Sequence, residues 1–249
     1  MSSVESTPTP TASAAVDAVA QWFAALHADL EGMNRDIEAI LSSASDPTAD
    51  VARLAKAGRD GIKDRVRVLL GERPRVNGAG LIFSRSARGE GKGVTEWWVR
   101  DGDGDVTRYQ FGVNPGGQRF YDYETLEWFT VSFTTGRPWL TGPYIDYLGV
   151  EEYIVTATVR AEVHGRAVGV TGLDMTVAEL ERELLPLLRL ARRPSALLNA
   201  HGGVLVSSTS SFAPGDLVTA PPAGFLRLPI PALDATLSLL VADAPADAR

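Results

Sequence analysis

Residues 121–177 read YDYETLEWFTVSFTTGRPWLTGPYIDYLGVEEYIVTATVRAEVHGRAVGVTGLDMTV. The runs at 152–163 and 166–173 alternate apolar and polar residues and are rich in β-branched side chains, the pattern of strands with one face in a core. His164-Gly165 between them is a two-residue turn, so the runs predict an antiparallel hairpin. Residues 124–132 predict a short aromatic helix over the sheet. Arg137-Pro138-Trp139 and Gly142-Pro143-Tyr144 must be extended or turned, because each proline restrains the residue before it. Asp174 follows the last strand, and a helix is expected from Thr176 through Leu184 and Leu185, with Pro186 as a kink.

Working outward, two helices precede any β structure. Val19, Trp22, Phe23, Leu26, Leu30, Met33, Ile37, Ile40 and Leu41 recur mostly at steps of three and four. Asp46 or Thr48 is expected to cap a second helix through Val51, Leu54, Ile62, Val66 and Leu70. The β signal starts near Val76, with strands at 78–83, 96–100 and 106–111. A polar, Gly-rich loop at 84–93 and a DGDGD turn separate them. After Ser195 come a hairpin (196–198 and 204–207) and two last strands (225–230 and 236–241). That tail is too short for a large core of its own and is expected to dock on the main domain. The division read from the chain is a disordered tail at 1–11, helices at 12–72, a main domain at 73–192 and a small β-rich module at 193–249. This is an α+β architecture around a central antiparallel sheet.

Composition bounds the function. The chain has 249 residues, 45% hydrophobic, with a formal net charge of −7. That charge disfavours nucleic-acid binding, which needs a basic face. The basic group Arg189, Arg192 and Arg193 suits a helix C-terminus. With no cysteine, disulfides and thiol chemistry are excluded. No export signal and no apolar run of membrane-spanning length is legible, so a cytoplasmic protein off the membrane is expected.

Motifs for metals and catalysis do not hold up. Asp101, Asp103 and Asp105 resemble the start of a calcium loop, but Val106 stands where the loop needs glycine and Gly112 where it needs glutamate. A hairpin turn explains them. His27, His164 and His201 have no metal-ligand spacing, and no nucleophile elbow surrounds 207–211. Neither a metal, a cofactor nor an enzyme is expected.

The order of Tyr121, Trp128-Phe129, the Gly142-Pro143-Tyr144-Ile145-Asp146 turn, the strand from Tyr153, and Gly169-Val170…Gly172-Leu173-Asp174 resembles the Cache domain. Cache domains are PAS-like small-molecule sensor modules of chemoreceptors and sensor kinases. The resemblance covers about 15–190, and the tail from Ser195 resembles the opening of a second, reduced module. It implies a ligand site of Tyr121, Trp128, Phe129, Tyr144, Asp146 and Asp174. In the amino-acid-binding members of the family a tyrosine stands where Phe129 is, and an arginine that grips the ligand carboxylate stands where Leu126 is. The resemblance thus implies an amine or other cationic metabolite rather than an α-amino acid, unless another arginine substitutes and the ligand is amino-acid-like. A homodimer through the N-terminal helix and a separate downstream regulatory protein are the partners it suggests.

The chemistry agrees with that ligand class. A buried cation needs paired negative charge and acceptors to offset its desolvation, which Asp146 and Asp174 supply. Ring faces of Tyr121, Trp128 and Tyr144 add ~0.5–2 kcal/mol each for a well-placed cation. Asp174 also suits a helix cap and Asp146 a turn. Two other readings stand beside the sensor: an interaction subunit with a vestigial pocket, and an enzyme using the two aspartates as an acid–base pair.

Overall fold

The computed structural model describes residues 9–85, 93–101, 104–109, 112–117, 120–145, 153–233 and 236–243. Most of the expected 1–11 tail and most of the 84–93 loop lie outside these residues. Helix α1 (Pro10–Ala44) starts two residues earlier than the periodicity suggested. Thr9 explains the start: its Oγ1 accepts from the Ala12 N–H at 3.4 Å and its carbonyl from Ser13 at 3.0 Å. Pro10 then holds the first helical position, where no N–H is needed. Ala15, Val19, Phe23, Leu26, Leu30, Met33, Ile37 and Leu41 form one buried stripe, with Trp22 and Ile40 half-buried at its margins. No helix among the described residues is long and apolar enough to cross a membrane.

Helix α2 (Val51–Glu72) is capped by Asp50, whose side chain accepts from the Arg53 N–H at 2.9 Å. The expected caps do other work. Asp46 accepts from the backbone N–H of Thr48 at 2.8 Å and from its hydroxyl, closing the preceding turn.

The chain divides into two compact units. One holds His27–Thr141 and Ile145–Thr176; the other holds residues up to Leu26, Gly142–Tyr144 and everything from Val177. The first is built on strands β1 (Gly78–Phe83), β2 (Val94–Arg100), β3 (Val106–Tyr109), β4 (Trp139–Ile145), β5 (Tyr153–Val163) and β6 (Arg166–Thr176). They form a six-stranded sheet in the order β3-β2-β1-β6-β5-β4. β5 and β6 are the expected hairpin, turned by His164 and Gly165 at φ 51° and 72°. The Pro143 stretch, expected to be extended or turned, is extended and forms part of an edge strand. Proline is tolerated there because an edge strand need not donate on its outer side.

Opposite faces of this sheet do different things. On one, Thr171 donates to Asn34 Oδ1 of α1 at 2.6 Å, and the Asn34 amide donates to the Arg160 carbonyl at 3.1 Å. The other carries Thr156, Thr158, Gly172 and Asp174, and is covered by helix α3 (Glu127–Thr135). This alternation follows from the period of two along each strand.

In the second unit, β7 (Ser195–Leu198), β8 (Val204–Ser207), β9 (Phe225–Ile230) and β10 (Leu237–Ala242) form a sheet in the order β8-β7-β10-β9. Helix α4 (Val177–Leu188) contains Pro186 and packs on β7 and β8. It therefore groups with the tail, although the sequence division placed it in the main domain. The tail, expected as a hairpin and two last strands, has a buried cluster of Ala196, Leu198, Val204, Val218 and Leu240 backed by Phe212 and Phe225. Trp22 of α1 donates to Glu183 of α4 at 3.4 Å within this unit.

Candidate functional site

The site begins with glycine. Gly78 and Gly80 on β1 face Asp174 and Gly172 on β6, and Gly80 also faces Trp97 on β2. Three small residues on adjacent strands leave a bare strip, and Trp97 fills it. Its Cη2 stands 3.3 Å from where a Gly172 Cβ would be, and its Nε1 3.0 Å from where a Gly78 Cβ would be. The indole thus lies across the strip with its N–H end toward Gly78, the cross-strand neighbour of Asp174. Of the two adjacent tryptophans only this one is on the site face, because successive residues of a strand point oppositely.

Asp174 is half-buried inside β6, and its Oδ1 accepts from Thr156 Oγ1 at 2.6 Å. It is not at the cap position of α4, which starts three residues later; there Asn77 Oδ1 accepts from the Thr176 N–H at 3.0 Å. Two residues along β5, Thr158 donates to the Trp128 carbonyl at 2.7 Å, and Ser132 donates to Thr158. These bonds fix α3 over the Asp174 face. Gly136, at φ 72°, ends the helix as a left-handed cap.

The aromatic residues gather around one the sequence reading did not select. Tyr123 is fully buried and donates to the Phe83 carbonyl at 2.7 Å. Burial pushes its hydroxyl far above the ordinary tyrosine range. Its ring lies 5.3 Å from Phe129 and 6.4 Å from Trp128, and those two are 6.0 Å apart. Phe129 is 2% exposed and stacks on Phe133, so it is the packed heart of the cluster. Trp128 is 5% exposed, and its Nε1–H is buried with no acceptor among the described residues.

Of the other expected residues, Tyr121 is half-buried and anchored by its N–H to the Gly112 carbonyl at 2.8 Å. Tyr144 is half-buried on β4, in the stretch that groups with the second unit. Asp146 lies outside the described residues. Leu126, where the resembling domains have arginine, is the residue before α3. Arg85 lies 5.1 Å from the Phe120 ring centre and 5.4 Å from that of Tyr123, and it is paired with Asp122 and Glu124. Its charge is therefore already balanced.

A second acid is buried nearby in sequence but faces the other way. Glu96 is completely buried on the helix face of β2, with Arg59 and Arg108 each 2.9 Å from its Oε1. Its Oε2 has no partner among the described residues. Burial raises its carboxyl above the ordinary value, outweighing the two arginines. The Asp101 carboxylate accepts from the Asp105 N–H at 2.9 Å; Asp103 lies outside the described residues.

No family model matches the sequence, and no curated protein matches it. Solved structures do match in fold. The structure of Methyl-accepting Chemotaxis protein X is 16% identical over 95% of both chains, with a TM-score of 0.64. The ligand-binding domain of the Pseudomonas aeruginosa PAO1 amino acid chemoreceptor PctC, in complex with GABA, is 16% identical over 91% of this chain and 94% of its own, with a TM-score of 0.53. The sensory domain of the Campylobacter jejuni chemoreceptor Tlp3 with isoleucine bound is 11% identical over 94% and 89%, with a TM-score of 0.56. The chain has the Cache-type fold of these sensory domains.

Proposed function

We propose that the chain is a small-molecule sensory module that captures a ligand through its ammonium group, at Asp174. The observation that carries this reading is the half-buried Asp174 carboxylate, oriented by Thr156 on the sheet face that also bears Trp97. An oriented carboxylate beside an indole suits a cation, whose desolvation both groups offset. The fold supports the sensory role. The matched PctC and Tlp3 structures hold GABA and isoleucine, both of which carry an ammonium group.

Among the described residues, Leu126 and the balanced Arg85 leave the aromatic side without an arginine offered to a ligand carboxylate. The buried Trp128 N–H instead favours a ligand that also presents a neutral or weakly charged oxygen.

A thermal-shift panel of monoamines, polyamines, quaternary amines, amino acids and small carboxylates tests this. At tenfold excess over Kd an amine should raise the melting temperature by about 3–6 °C. Asp174→Asn should remove that rise while leaving the unliganded melting temperature within about 3 °C of wild type. An amine response that survives Asp174→Asn, or a panel in which no amine acts, refutes the assignment.

A further inference from the structure

The sheet of the second unit carries a groove of about 510 Å³, within the range of pockets that hold small metabolites. Ala200, Arg227, Pro229, Thr236, Leu237 and Ser238 line it. Pro229 faces Ser238 across β9 and β10, and Arg227 faces Leu240, so Arg227, Pro229 and Ser238 project from the same side of the sheet. The buried core cluster of this unit includes Leu198 and Leu240 from the same side, and no residue of α4.

Two of the groove's three polar side chains, Arg227 and Ser238, offer donors. Arg227 Nε donates to Ser238 Oγ at 2.7 Å, which fixes the plane of the guanidinium. Among the described residues no carboxylate pairs with Arg227, and its two terminal nitrogens have no partner. The Ser238 oxygen is occupied as an acceptor, so its proton is left to give; the residue is 6% exposed. Thr236 spends its proton on the Leu233 carbonyl at 2.9 Å. A guanidinium held by a buried hydroxyl, with no acid beside it, is matched by a planar anion that takes two N–H bonds. Pro229 and Ala200 supply apolar wall, which an inorganic anion would not use.

We propose that this groove is a second ligand site, for a small monocarboxylate. The carboxylate sits on the terminal nitrogens of Arg227 and takes the Ser238 hydroxyl proton as a further hydrogen bond. A short aliphatic tail lies against Pro229 and Ala200. The site does not depend on Asp174, so the two assignments stand or fall separately.

The test titrates the whole chain with sodium propionate, sodium phosphate and sodium chloride at matched ionic strength, read by calorimetry and melting temperature. Propionate should bind, and Arg227→Gln should weaken it roughly tenfold or more, the usual effect of losing charge-assisted hydrogen bonds. Asp174→Asn should leave propionate binding unchanged, and Arg227→Gln should leave any amine response unchanged. Amide shifts in the wild-type chain locate the site without a variant: propionate should move Ala200, Thr236, Leu237 and Ser238. Binding of phosphate but not propionate overturns the carboxylate class. Propionate shifts that spare these four residues, or a response Arg227→Gln does not reduce, overturn the site.

Discussion

The two sheets use the same strand order for different ends. In each, a hairpin (β1–β2 or β7–β8) pairs through its first strand with the last strand of the sheet, and that strand pairs with the one before it. The strands of the second sheet read SALL, VLVS, FLRLPI and LSLLVA, with no glycine. Those of the first include GAGLIF and RAVGVTGLDMT. Aliphatic side chains on adjoining strands fill their own space, whereas glycines on adjoining strands leave space that another residue must enter. Trp97 enters it, with threonines and Asp174 alongside. Strand order therefore builds the platform, and the distribution of glycine decides which platform takes an aromatic ring into its surface.

The sharpest way to break this contrast is Gly80→Ala. Gly80 has a φ of 154°, and a Cβ there would stand 2.1 Å from the Glu96 carbonyl oxygen. β2 would have to move off β1, at a cost of about 3 kcal/mol or more in urea denaturation. A loss below about 1 kcal/mol would mean that the glycine strip is not a requirement of the sheet. A smaller effect is expected at Thr158→Val, which leaves the Trp128 carbonyl without its donor; about 2 kcal/mol is expected. Ser238→Ala in the other sheet should cost less than about 1 kcal/mol, since half-buried Arg227 can turn to water. Equal costs would erase the distinction between a hydroxyl whose loss strands a buried carbonyl and one whose partner can turn to water.

The smallest expected effect is a change of slope with pH. Glu96 holds its proton more tightly in the folded chain than its ordinary value of 4.5, because of burial. An acid raised in this way favours the fold most below the unfolded value, and stability declines as pH rises through the raised folded value. Glu96→Gln should flatten that decline in a series of melts from about pH 4 to pH 8. A slope that does not change would assign it to other groups.

Local signals were the legible ones. The stripe of α1, the α2 pattern and the His164-Gly165 hairpin are written in neighbouring residues, and they hold within a few positions. The pairing of β1 with β6 joins residues almost a hundred positions apart, and no periodicity encodes it. That pairing is what places Gly78 beside Asp174 and makes Trp97 a wall, so Trp97 could be narrowed to one of two tryptophans but not chosen. Thr156 was hidden for the same reason. A partner across strands cannot be read until the register is known. Tyr123 was passed over because residues 121–129 offer four aromatics and three acids to a pocket and only packing decides which of them are consumed by the core. The resemblance named Trp128 and Asp174 as site residues. The structure adds the buried Trp128 N–H and the threonine that orients Asp174.

The margins of the six-stranded sheet are also unlike its middle. On one side β3 is only four residues long; on the other, β4 carries Pro143, which has no amide hydrogen to offer an incoming chain. A foreign segment seeking to extend the ladder finds too short a template at one border and an interrupted one at the other. Fibre-like growth by lateral recruitment is thereby discouraged by strand length and a missing donor.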